Sequence, residues 1–314
     1  MDIKRIKAFN GREKIKKLVL PGFDGVPISH VISFVIKGFG KGVLVTRASS
    51  IAFNLLMALL PASIFLFTLI PFVPIPNFQQ ESIRLFENIL PSNAFSILES
   101  TFIDIVTHKS GGLLVIMLFA TIIFSTNGIH AVIHAFVVSA HTFKTRSWVN
   151  QRKISLILLV IVVVMISIAG FLVIFGKTTV NRLMELHIIK RNLVIYLLIL
   201  IKWIMIILLL FFAISSLYYL APAKRTDFKF FSAGSTLATL LFILSSLGFS
   251  AYVNNYGPYN QLYGSIGTLM VILIWLYLNS IAILIGFELN VSIRAAREED
   301  SEKLLTFPVN IQSI

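Results

Sequence analysis

From Leu269 to Phe287 nineteen consecutive residues carry no charge, with Asn279 and Ser280 as the polar exceptions. At about 1.5 Å of rise per residue this run makes a helix of about 28 Å, close to the roughly 30 Å hydrocarbon thickness of a bilayer. Backbone polar groups in hydrocarbon must be satisfied within the segment, so a helix is the form open to it. One side of that helix is not apolar. Thr268, Asn279, Gly286 and Asn290 are spaced by 11, 7 and 4 residues and fall on nearly one line, with Trp275 beside it. A polar line in hydrocarbon has to face other helices or a watery path. Close helix packing is one reading and packing plus a lined path is the other.

Five further apolar runs have the same character: about Ser49–Phe72, Gly112–Val138, Ile154–Phe175, Leu193–Leu220 and Phe230–Val253. Hydrophobic residues are 57% of the chain and charged residues 13%, about half the charged share of an average soluble domain. The net charge of +13 sits in short segments flanking the runs, which argues against a nucleic-acid partner. There is no cysteine, so disulfides and thiolate metal sites are absent. The expected fold is an all-α membrane protein of six transmembrane helices. An N-terminal interfacial helix over 27–39 and an amphipathic extracytoplasmic segment over 77–110, between helices 1 and 2, complete it. The chain divides into a basic cytoplasmic segment 1–47, a six-helix domain 48–292 and a cytoplasmic polar tail 293–314. The apolar residues Ile83, Phe86 and Ile89, then Phe102, Ile105 and Val106, recur at helical spacing in the segment between helices 1 and 2.

Three groups of residues resemble a known family. They are Tyr263, Gly264 and Gly267, then Trp275 and Tyr277, then Gly286 and Glu288 in the run Gly-Phe-Glu-Leu-Asn. Together they are similar to the last helix of the YihY/BrkB family of bacterial membrane proteins. Ala52-Phe53 followed by Ala58-Leu59-Leu60-Pro61 resembles the family's first helix, and Tyr219-Leu220-Ala221-Pro222 its fourth. Phe287 departs from the pattern, which usually has Ala before the Glu. The resemblance spans roughly Arg47 to Ala295. It implies a six-helix inner-membrane protein, once labelled ribonuclease BN, whose activity is unsettled.

Several side chains in the spans are candidates for a substrate path. Pro61 removes a backbone hydrogen bond inside span one, near Asn54. Asn127, His130 and His134 share a face of span two, with His141 beyond; they form either a hydrogen-bonded cluster or a metal-binding face. Lys202 lies about 14 Å into span four if that span starts at Leu193, and is an interfacial anchor if Trp203–Leu220 alone crosses. In the last span the candidates are Thr268, Asn279, Glu288 and Asn290. Glu288 is either an interfacial carboxylate or a proton- or cation-coupling group. In span five Gly234 and Ala238 form a small-xxx-small pair suited to close packing.

Clustered carboxylates, a nucleophile with its base, or a metal shell would mark a hydrolase; the 14 Asp and Glu lie mostly outside the spans. No enzyme activity, cofactor or metal is expected, and ribonuclease chemistry has no residue-level support. Ten Lys and Arg lie in residues 1–47, four in 139–153, three in 222–229 and three in the tail, against two in 76–110, four in 177–191 and none in 252–263. That excess places both termini in the cytoplasm. The expected role is transport of lipid or another amphiphilic envelope component. Cation/proton exchange and a non-transporting structural role are the alternatives. Anionic headgroups at the N-terminal segment are the expected partners, and a homo-oligomer is left open.

Overall fold

A computed structural model describes residues 43–74, 77–89, 100, 102–139, 147–185, 193–222, 229–255 and 258–306. The segment 27–39, His141 and residues 307–314 lie outside these. Among the described residues seven helices of at least 12 residues follow in order: α1 (Val43–Leu69), α2 (Phe78–Ile89), α3 (Gly111–Ser139), α4 (Trp148–Glu185), α5 (Leu193–Leu220), α6 (Ala233–Asn255) and α7 (Pro258–Thr306). Among the described residues there is no strand. Among the described residues six helices are long and apolar enough to cross a membrane: Leu44–Phe72, Gly111–Val138, Trp148–Leu172, Tyr196–Leu220, Ala233–Val253 and Leu269–Arg294. They coincide with the six runs read from the sequence.

Local chemistry sets the ends. α1 carries Pro61 inside it and passes into a 3-10 turn at Ile70–Phe72, where Pro71 cannot supply an α-helical N–H. Asn77 then takes a left-handed conformation (φ 61°), which Asn tolerates, and its carbonyl accepts the N–H of Glu81 at 2.9 Å as α2 begins. α7 starts at Pro258, a residue whose fixed φ suits the first helical position.

Two helices run further than the apolar runs suggest. α4 continues to Glu185, through part of what reads as the 176–191 loop, because no proline stops it and Gly176 alone does not. α7 continues past Arg294 to Thr306, so residues 294–306 of the polar tail are helical.

The described residues group into two compact units. One falls within Arg47–Val132 and Leu244–Ser280; the other falls within 43–46, 133–243 and 281–306. In the first unit Ala48, Ile51 and Ala52 are buried on α1. A Cβ at Gly128 of α3 would meet the Leu55 side chain at 3.0 Å and the Asn54 carbonyl oxygen at 3.6 Å, so α3 lies close to α1 there. Phe102 and Val106, in a short helical stretch, are buried, with Phe102 edge-on to Phe67 at 5.2 Å. In the second unit α4 and α5 are neighbours. Ala233, Leu289 and Ile293 form a buried cluster against Leu237. Over the most apolar 18 residues of each span, the last span buries 39%, against 6–17% for the others.

Candidate functional site

The polar line of α7 is met by α6 in both units. In the first unit the Asn279 Oδ1 accepts from the Ser245 hydroxyl at 2.9 Å and from Ser246 at 3.4 Å. Its Nδ2 donates to the Trp275 carbonyl at 2.9 Å, and the Trp275 indole N–H donates to Ser246 Oγ at 3.2 Å. An amide buried at 4% exposure thereby has both ends occupied. In hydrocarbon this is what holds two helices in register.

In the second unit Asn290 does more. The first N–H groups of α6 have no partner within their own helix. Ser232 precedes α6, and its hydroxyl accepts the Ser235 N–H at 3.2 Å while Ser235 Oγ accepts the Ser232 N–H at 3.2 Å. This is a reciprocal cap with Ser in the place usually held by Glu or Gln. Asn290 completes it from α7: its Oδ1 accepts the Gly234 N–H at 2.8 Å, and its Nδ2 donates to Ser232 Oγ at 2.9 Å.

That reach requires the two backbones to touch. A Cβ on Gly234 would come within 2.5 Å of Asn290 Cγ and Oδ1, and would overlap the Gly286 carbonyl oxygen. A Cβ on Gly286 would come within 2.6 Å of Ala238 Cβ and of the Tyr218 hydroxyl. The Gly234–Ala238 pair packs against Gly286, as the small-xxx-small spacing suggests. From α5 the Tyr218 hydroxyl donates to the Ile283 carbonyl at 2.5 Å. Phe287 stacks on Phe136 of α3 at 4.0 Å and 10°, with Tyr218 edge-on to both rings. Four helices thus meet around Gly286-Phe287.

The other candidates are scattered. Asn54 donates to the Ser50 carbonyl of its own helix at 2.8 Å. On α3, Asn127 and His130 are half-buried and His134 is exposed. Among the described residues no three His, Asp or Glu come together in a way that could hold a metal ion. Lys202 is half-buried, with its ammonium 5.4 Å from the centroid of the Trp203 ring. Glu288 is half-buried, half a turn away from the Asn279–Asn290 line. Gly267 is buried and Tyr277 half-buried; Tyr263, Gly264 and Thr268 belong to helical stretches whose side chains lie outside the described ones. Tyr218 and Phe136 were not legible as partners of this site, since nothing in an apolar run marks which aromatic turns inward.

A model of the virulence factor BrkB family matches residues 35–306. The protein YfkH of Bacillus subtilis (strain 168), whose name calls it ribonuclease-like, is 30% identical over 245 residues, covering 78% of this chain and 88% of that one. A UPF0761 membrane protein of Coxiella burnetii (strain RSA 493 / Nine Mile phase I) is 24% identical over 265 residues, 82% and 91% of the two chains. Another, from Vibrio atlanticus (strain LGP32), is 34% identical over 96 residues, 30% of this chain and 31% of its own. No solved structure matches the chain.

Proposed function

This chain belongs to the virulence factor BrkB family, and on that footing we propose that it moves a lipid or another amphiphilic envelope component across the bacterial cytoplasmic membrane. Six crossings return the chain to the side it started from, and the basic excess in 1–47, 139–153, 222–229 and the tail argues that this side is the cytoplasm.

One observation carries the reading. Two polar side chains of the last helix bond to its neighbour: Asn279 to Ser245, and Asn290 to Gly234 and Ser232. What the spans then offer a substrate is chiefly apolar surface. A hydrated ion needs coordinating oxygens or carboxylates along its route, and Glu288 is the single Asp or Glu in the six spans. An amphiphile needs less, because its chains stay in hydrocarbon while its headgroup follows the protein edge. The ribonuclease-like name belongs to the Bacillus relative; for this chain the reading is non-enzymatic.

Cation/proton exchange through Glu288 is the rival. The purified protein in liposomes, with a headgroup-labelled phospholipid in one leaflet, tests the proposal. Faster redistribution than in protein-free vesicles is expected, and an unchanged rate would count against it.

A further inference from the structure

Lys202 is the one charged residue of α5, and it does not project from the lipid-facing side. Lys202, Ile206, Leu209 and Ala213 are half-buried at helical spacing, leading into the fully packed stretch Ile214–Tyr218. Ile201, Trp203, Ile204, Met205 and Leu208, around the rest of the helix, are exposed. The ammonium therefore springs from the packed side of α5, beside an exposed indole.

A cation so placed needs an anion. Among the described side chains no carboxylate pairs with it. Glu288, the single acidic residue of the spans, cannot serve. Tyr218 packs on its neighbour Phe287, and Tyr218 is sixteen residues, about 24 Å, further along α5. The ring of Trp203 offers only its π-face.

The sequence adds a second observation. Lys177 and Arg182 extend α4 beyond the end of its span at Leu172, and Lys190 and Arg191 precede α5. In sequence these four basic residues lie between the spans of α4 and α5, a connection that the proposed topology puts on the side opposite both termini, where few are expected. Lys202 is six residues past Tyr196, about 9 Å of helix, and a lysine stem can carry its ammonium back toward the headgroups.

We propose that Lys202, flanked by Trp203, binds the phosphate of an anionic phospholipid of the leaflet opposite the termini. The ammonium donates to the phosphate oxygens, the indole lies at headgroup level, and the acyl chains run along exposed Met205 and half-buried Leu209, which lie on the Lys202 side of α5. A zwitterionic lipid binds less well because its own cation repels the Lys202 ammonium. The site does not depend on lipid being carried across.

With Trp148→Phe and Trp275→Phe, Trp203 is the sole tryptophan of three. Its quenching by phosphatidylglycerol with brominated chains is compared with that by brominated phosphatidylcholine in mixed vesicles. A preference of about fivefold for the anionic lipid is expected, falling to about one in Lys202→Gln and kept in Lys202→Arg. Equal quenching with Lys202 present, or a preference that survives Lys202→Gln, overturns the site. Native mass spectrometry of the chain with all three tryptophans gives an independent reading. Lys202→Gln should retain one phosphatidylglycerol fewer, and an unchanged number also overturns it. Redistribution of labelled lipid that fails while this preference persists sinks transport and leaves the site standing.

Discussion

The side chain of Asn290 caps a helix that begins 57 residues before it: its Oδ1 accepts the backbone N–H of Gly234 at 2.8 Å, and its Nδ2 reaches Ser232 Oγ at 2.9 Å. An Asn inside one apolar helix thereby satisfies the open end of another. The approach is close enough that Gly234 and Gly286 leave no room for a Cβ on either side. The family-like run from Gly286 to Asn290 is thus, at two of its positions, a joint between helices.

Asn290→Ala should lower stability by about 1–3 kcal/mol, the range for leaving buried helix-end groups unsatisfied. Asn290→Asp keeps the acceptor for Gly234 and should lose less. Thermal unfolding in detergent measures both. An alanine variant as stable as the parent would remove the cap from the account.

Gly286→Ala should be far more damaging than Gly248→Ala. At Gly286 the new methyl meets Ala238 and Tyr218, whereas at Gly248 nothing lies within 4 Å. Relief of glycine's helix penalty should make Gly248→Ala neutral or stabilising by up to about 1 kcal/mol. The yield of monodisperse protein after detergent extraction, together with its melting temperature, ranks the pair.

Phe287→Ala restores the residue usual in the family pattern, yet it should destabilise this chain. Phe287 is fully buried and stacked on Phe136, and removing such a ring leaves a cavity costing about 3–5 kcal/mol. A filling partner, Phe136→Trp, should recover part of the loss. Chemical denaturation of the single and double variants reads it, and a harmless Phe287→Ala would mean that the ring contributes little.

Topology is testable directly because the chain has no cysteine. A single cysteine at Ser92 or Asn255 should react with an impermeant maleimide added to whole cells, and one at Thr226 only after lysis. The reverse pattern would invert the assignment of both termini.

The spans and the polar line of α7 were legible because both are periodic properties of one segment. Charge-free length marks a span, and spacings of 11, 7 and 4 mark a face, with no knowledge of neighbours. Partners were not legible. Asn290 meets Gly234 and Ser232 across 56 and 58 residues, and Phe287 meets Phe136 from another helix; no local pattern fixes such pairings. The two readings of the line, packing or a lined path, divide on what lies opposite it, and at Asn279 and Asn290 that is α6. The overrun of α4 to Glu185 was missed because hydropathy reports the membrane edge, while a helix ends where caps or proline end it.

The central claim is that the substrate is an amphiphile and that the last helix is a joint rather than an ion path. Vesicles holding an internal pH dye and a headgroup-labelled phospholipid report both activities at once. The account predicts lipid redistribution above protein-free vesicles, no cation-driven pH change, and the same rates in Glu288→Gln. A cation-driven pH change that vanishes in Glu288→Gln, with lipid redistribution at the protein-free level, would contradict it.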